Sequence, residues 1–147
     1  MRPIEELLSE FPIVIEHPVS WGDMDANGHV NSVWFFRYIE NARVAYYKKI
    51  GKFEYEKETD ITFVVAAISC KLLVPLVYPD TVIVGARILA ISDDSASMSY
   101  RVVSSEQRRI VAEAEATIVS FSGSKGKKVM FPESLKLNIE RLEKRTF

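Results

Sequence analysis

Residues 21–51, WGDMDANGHVNSVWFFRYIENARVAYYKKIG, set a polar loop rich in Asp and Asn directly ahead of the most aromatic helical stretch in the chain. From Ser32 onward Phe35, Ile39, Ala42, Tyr46 and Ile50 recur at steps of three or four, while Arg37, Glu40, Asn41 and Lys48 fall on the opposite side. That is the period of an amphipathic helix. A second apolar set, Trp34, Phe36 and Tyr38, widens the stripe, so the helix is expected to be wrapped by other structure over most of its circumference. Asn31 or Ser32 can accept from the free N–H groups of the first turn, and Gly51, behind Lys48 and Lys49, supplies a left-handed stop. The helix start offers unpaired N–H donors and partial positive charge, and the chain places Asp23, Asp25 and His29 within a few residues of it.

The remainder reads as sheet. Ile4, Leu7, Leu8 and Phe11 predict a short leading helix, and Ile13, Ile15, His17 and Val19 alternate as a first strand. Residues 52–60 have no apolar periodicity and are expected to form a mobile surface connector. The run from Ile61 to Val77 is so continuously apolar that it predicts a strand covered on both faces. A turn at Tyr78-Pro79-Asp80 leads to a strand over 81–91, a turn at Asp93-Asp94-Ser95, and an alternating strand through Ala96, Met98, Tyr100 and Val102. After the turn at 106–109, Ala112, Ala114, Ala116 and Ile118 alternate with polar residues, and the small alanines leave room for the long helix to lie close. A turn at 123–126 precedes a final amphipathic helix through Leu135, Ile139 and Leu142. The order implies an α+β fold in which an antiparallel sheet buries the face of one long helix. An apolar strand of that length is an aggregation hazard if left uncovered, so at least a homodimer is expected.

The chain of 147 residues, 48% hydrophobic, is enough for one core, and residues 1–147 are expected to form a single domain. Nineteen Lys and Arg against 20 Asp and Glu leave no basic field to hold nucleic acid or an anionic membrane. Cys70 is the single cysteine, and MRPIEELLSE carries acids where a secretory signal would be basic and then apolar, so a cytoplasmic location is expected. Ser69, Lys71 and Pro75 break the longest apolar run short of a membrane span.

Asp23-Met24-Asp25-Ala26-Asn27-Gly28 imitates the opening of a calcium-binding EF-hand loop. The imitation fails at the twelfth position, where a bidentate Glu is needed and Trp34 stands. The runs WGDMDANGHVN and VWFFRYIENAR, with Val74-Pro75 to Asp80 and Ala112 to Ser120, cover nearly the whole chain. Together they resemble the hotdog-fold acyl-CoA thioesterases of the 4-hydroxybenzoyl-CoA thioesterase type, which carry W-x-D-x-D-x-x-G-H-V-N before a central helix containing E-x-A-R. Pro79 departs from the Gly common before the turn Asp.

The resemblance implies a hotdog fold, a site between subunits of a homodimer or homotetramer, an acyl-CoA substrate, and no cofactor or metal. It assigns the catalytic carboxylate to Asp25, with Asp23 as its neighbour. Thioester hydrolysis needs a base or nucleophile beside the carbonyl carbon and donors for the developing oxyanion, and the Ser32 N–H at the helix start is the candidate donor. Asp25 is competent either to attack the carbonyl or to activate water. His29 and Asn31 are candidates for positioning substrate, although side chains in a tight Gly-containing loop more often hold its shape. Cys70 is expected to be core packing, and Lys125, Lys127, Lys128, Arg108 and Arg109 are candidate partners for CoA phosphates. A non-catalytic acyl-CoA-binding dimer is the rival reading and a hotdog dehydratase a third.

Overall fold

The computed structural model describes residues 3–147. In chain order the elements are α1 (Ile4–Leu7), β1 (Ile13–Pro18), a 3-10 turn (Trp21–Asp23), α2 (Ser32–Ile50), α3 (Lys52–Glu58), β2 (Ile61–Leu72), β3 (Thr81–Ile91), β4 (Ser95–Ser104), β5 (Arg109–Ser122), β6 (Lys127–Lys128) and α4 (Glu133–Glu143). The strands form one antiparallel sheet ordered β1-β3-β4-β5-β2, with β6 added to β5. Register shifts at Val65/Ala67, Ile88/Ala90 and Val102/Val103 interrupt three of the ladders. Such bulges bend a strand and sharpen its twist, which is how a sheet comes to curl round a helix. This is the expected hotdog arrangement.

The core follows from the two periodicities meeting. On α2, Phe35, Tyr38, Ile39, Ala42, Tyr46 and Ile50 are all buried, and they face Val82, Val84, Ala86 and Ile88 of β3 and Met98, Tyr100 and Val102 of β4. Buried side chains of this size each contribute about 1.5–3 kcal/mol. The helix lies nearest β1 and β3, so the alanines of β5 do not receive it as closely as their size suggested. Glu143 ties three elements together: its Oε2 accepts from the Tyr46 hydroxyl at 2.6 Å and from the Ile88 N–H at 2.8 Å.

Three expectations are corrected. Residues 52–58 form a helix, α3, in which Lys52 is buried over the rings of Tyr47 and Phe53 and paired with Glu56 at 2.6 Å. Aromatic faces and an i,i+4 ion pair anchor it, which an apolar count along the sequence does not register. The apolar run predicted as one strand through Val77 ends as strand at Leu72, and β2 is the sheet's edge, with Val64, Ile68 and Leu72 exposed. Along α2, Val33 and Phe36 are exposed as well, so the helix is wrapped on less of its circumference than expected. No helix among the described residues is long and apolar enough to cross a membrane.

The leading segment uses the outer face of the sheet. Leu7, Leu8 and Phe11 bury against Val103, with Ile4, Ile83 and Ile110 alongside. The Phe11 ring lies against the guanidinium groups of Arg87 and Arg101, at 4.9 and 5.2 Å, and Arg101 donates to the Leu7 carbonyl at 2.8 Å. The ring needs Gly85 beneath it, since a Cβ there would stand 2.6 Å from Phe11 Cγ and 2.8 Å from its Cβ. Gly85→Ala is therefore expected to cost about 1–3 kcal/mol through overpacking. Thermal unfolding checks this, and a midpoint equal to wild type would show that Phe11 is not seated there.

Candidate active site

The loop ahead of α2 is shaped mainly by its own backbone. Met24 and Val30 form an antiparallel bridge, the Asp25 N–H donates to the His29 carbonyl at 2.7 Å, and the Gly28 N–H donates to the Asp25 carbonyl at 3.0 Å. Gly28 takes φ 78°, the left-handed conformation that only a glycine adopts cheaply. Two bonds fasten the loop to the body: Asn31 N–H to the Asp23 carbonyl at 2.9 Å and Val30 N–H to the Leu76 carbonyl at 2.8 Å. Asn31 then caps α2, its Oδ1 accepting from the Val33 N–H at 3.0 Å.

The two aspartates point to different places. Asp23 is buried, accepts from the Ser20 N–H at 2.9 Å, and lies beside the buried Tyr38 phenol. Burial, and then the nearby Asp23 carboxylate, push the Tyr38 phenol above its ordinary pKa. Asp25 is exposed, its Oδ1 accepting from the Asn27 N–H at 2.9 Å and the His29 N–H at a longer 3.4 Å. The first is the Asx-turn contact by which an Asp holds a tight turn.

Asp25, His29, Asn31, Ser32 and Phe35 line one side of a cleft of about 500 Å³, and Leu72 to Pro75 line the other. The expected site residues are thus brought together. The segment 72–75 was not expected at the site: Val74-Pro75 entered only as part of the resembling turn motif, and the strand was expected to run on through Val77. The Ser32 N–H has no hydrogen-bond partner among the described residues, whereas Val33 and Trp34 donate to Asn31. A donor left free at the positive end of a nineteen-residue helix thus belongs to a residue that lines the same cleft as a carboxylate. A larger hollow of about 610 Å³ at the other end of α2 is lined by Lys48, Lys49, Glu54, Arg141 and Lys144 among others, and by none of Asp25, His29, Asn31 and Ser32.

Other candidates separate from the cleft. Cys70 does not line it, is half-buried on β2, and burial raises its thiol pKa. Arg109 opens β5 three residues before Ala112, the partner of Leu72, so Arg108 and Arg109 lie toward the cleft end of the sheet. Lys127 and Lys128 pair with Ser122 and Phe121 at the opposite end of the same strand. Within one chain the two basic groups cannot meet a single phosphate. Among the described residues no three His, Cys, Asp or Glu side chains are placed to hold a metal ion.

Known proteins share this fold. A structure of a thioesterase from Thermus thermophilus complexed with coenzyme A and zinc superposes with a TM-score of 0.82 at 30% identity, covering 94% of this chain and 98% of that one. A 1,4-dihydroxy-2-naphthoyl-CoA thioesterase from Synechocystis superposes with a TM-score of 0.76 at 19% identity, covering 86% and 94%. A DHNA-CoA thioesterase from Staphylococcus aureus does so at 0.72 and 18%, covering 80% and 79%. The latter two show likeness of fold. No curated protein sequence matches the chain. The family model of the thioesterase-like superfamily matches residues 19–139, from just after β1 into α4, and the chain belongs to that superfamily.

Proposed function

We propose that the protein hydrolyses acyl-CoA thioesters to a carboxylic acid and free CoA in the cleft between the Asp25 loop and residues 72–75. One observation carries this reading: an exposed carboxylate, Asp25, and an unspent helix N–H, that of Ser32, open on the same cleft. With the thioester oxygen on the Ser32 N–H, attack at the carbonyl carbon places negative charge where the donor and the helix dipole favour it. Asp25 either takes a proton from the attacking water or adds to the carbonyl itself, giving an anhydride that water then opens. In both cases the C–S bond breaks, CoA leaves as thiolate, and the thiolate takes up a proton. Asn31 holds the helix start in place, and His29 borders the entrance.

We further propose a homodimer or homotetramer, in the cytoplasm, with the site next to the subunit boundary. The open edge of β2 carries exposed Val64, Ile68 and Leu72, and Leu72 also lines the cleft. An uncovered apolar edge of this length invites pairing with a second copy. Light scattering at micromolar concentration is expected to give at least twice the chain mass, and a persistent monomer would remove both assembly and shared site.

Asp25→Asn keeps the shape and the Asx-turn acceptor and loses the basic lone pair. Its kcat on acyl-CoA is expected to fall by about two orders of magnitude or more, with fold and assembly retained. Asp23→Asn, whose side chain faces Ser20 and Tyr38, should lower kcat far less. Near wild-type turnover by Asp25→Asn would reduce Asp25 to a turn residue; binding of acyl-CoA without hydrolysis by either form would make the protein a binding module. Cys70→Ala is expected to keep most activity, and its loss in a folded variant would point to a Cys-based mechanism.

A further inference from the structure

The hollow of about 610 Å³ at the far end of α2 gathers positive charge in a protein whose net charge is -1. Lys48 and Lys49 border it from α2, Arg141 from α4, and Lys144 from the C-cap of α4. Among the described residues none of the four forms an ion pair, although Glu54 of α3 borders the same hollow. Glu140 and Glu143 of α4 do not line it, and their Oε2 atoms accept from the Phe147 N–H and the Tyr46 hydroxyl. Cations at helix ends ordinarily balance the dipole, and both α2 and α4 end here. Four cations are more than that balance needs. Each helix end carries about half a negative charge, so even with Glu54 counted the hollow keeps an excess of about two positive charges.

The floor of the hollow is tied down. Gly51 ends α2 at φ 79°, and a Cβ there would meet Glu54 Oε2 at 3.8 Å and Asn138 Nδ2 at 3.9 Å, so both side chains reach over it. Asn138 Nδ2 donates to the Ile50 carbonyl at 2.8 Å, and Asn138 Oδ1 accepts from Arg141 Nη1 at 3.2 Å. A carbonyl at the end of α2 is thereby satisfied, and Arg141 is steadied by one N–H while its others have no acceptor among the described residues. Lys144 takes φ 59°, a left-handed conformation that glycine adopts freely and lysine does not. Glycine would close α4 equally well; the lysine adds a cation to the hollow. Non-glycine residues held in this conformation cluster at ligand clamps and other functional positions.

We propose that this hollow binds a compact polyanion carrying a diphosphate group, at a site separate from the cleft. With nineteen residues α2 is about 28 Å long, so the two sites stand at opposite ends of one helix. Three ammonium groups supply mobile point charges and one guanidinium a planar fork, a combination suited to phosphate oxygens. A concave surface lined by one sign of charge concentrates counter-ions, and its shape fits a compact ligand better than a flat lipid surface. Glu54 is the one bordering charge that opposes the anion.

The test is calorimetric titration of the whole protein with inorganic pyrophosphate, and separately with ADP, at one fixed ionic strength because salt screens exposed charges. Saturable pyrophosphate binding with a Kd below about 1 mM is expected. Arg141→Gln should weaken it at least about tenfold, as loss of a charge-assisted hydrogen bond does. Lys144→Gly should weaken binding severalfold while leaving the thermal midpoint equal or higher, which separates a ligand role from a structural one. Glu54→Gln should tighten binding severalfold. ADP bound as tightly as pyrophosphate shows that the diphosphate alone is recognised, and ADP bound more tightly adds the nucleoside; both uphold the site. Three results overturn it. These are no saturable binding of either compound by folded wild type, binding kept by Arg141→Gln but lost when Lys127 and Lys128 are both changed to Gln, and binding to vesicles containing phosphatidylserine but not to pyrophosphate. The last would make the surface a membrane contact. None of these readouts depends on thioester turnover, so this site and the hydrolase reading fail independently.

Discussion

The closure of the 23–31 loop onto the start of α2 is the contact on which the rest depends. Asn31 does two things there: its N–H donates to the Asp23 carbonyl, and its side chain caps the Val33 N–H. The first bond fixes where the loop ends, and the second fixes where the helix begins. Because α2 is the object around which the sheet curls, its start also sets which strand ends lie near the loop. The Val30 bond to Leu76 then brings the segment beyond β2 alongside. A cleft with a carboxylate on one wall and a helix terminus at its base follows from these few ties.

Two aspartates two residues apart acquire opposite characters from this closure. Asp23 is drawn inward by the Ser20 N–H and lies beside Tyr38, where a carboxylate can brace the loop but cannot reach a substrate in the cleft. Asp25 is left on the outside of the turn. The Asx contact with Asn27 occupies Oδ1, and no hydrogen bond is made by Oδ2 among the described residues. Extended chain would put residues two apart on one face; the two carboxylates part because Asp23 closes the 3-10 turn while Asp25 opens the tight turn at Gly28.

Much of this was legible in the residues. The three-to-four spacing from Phe35 to Ile50 predicted α2, and Asn31 and Gly51 bound it as cap and left-handed stop. Alternation through Met98, Tyr100 and Val102 predicted the buried face of β4. The failures have physical causes. KFEYEKE showed no apolar period because α3 is held by Lys52 lying over aromatic rings, where a charged residue takes the place of an apolar one. The run through β2 suggested burial on both faces because apolarity reports that a surface is to be covered, without saying whether by the same chain or by another. Arg43 read as part of a motif and not as a buried charge, since its neighbours Tyr47, Tyr100 and Met98 come together only in three dimensions. The Leu72 to Pro75 wall was likewise a product of tertiary closure.

The central claim concerns where a thioester sits, and a crystal structure with a non-hydrolysable acyl-CoA analogue tests it most directly. The account predicts the carbonyl oxygen within hydrogen-bond distance, about 2.7–3.2 Å, of the Ser32 nitrogen, with an Asp25 carboxylate oxygen facing the carbonyl carbon directly or through one water. A carbonyl bound elsewhere, with the Ser32 N–H still unpaired and Asp25 turned only toward its own loop, would contradict it.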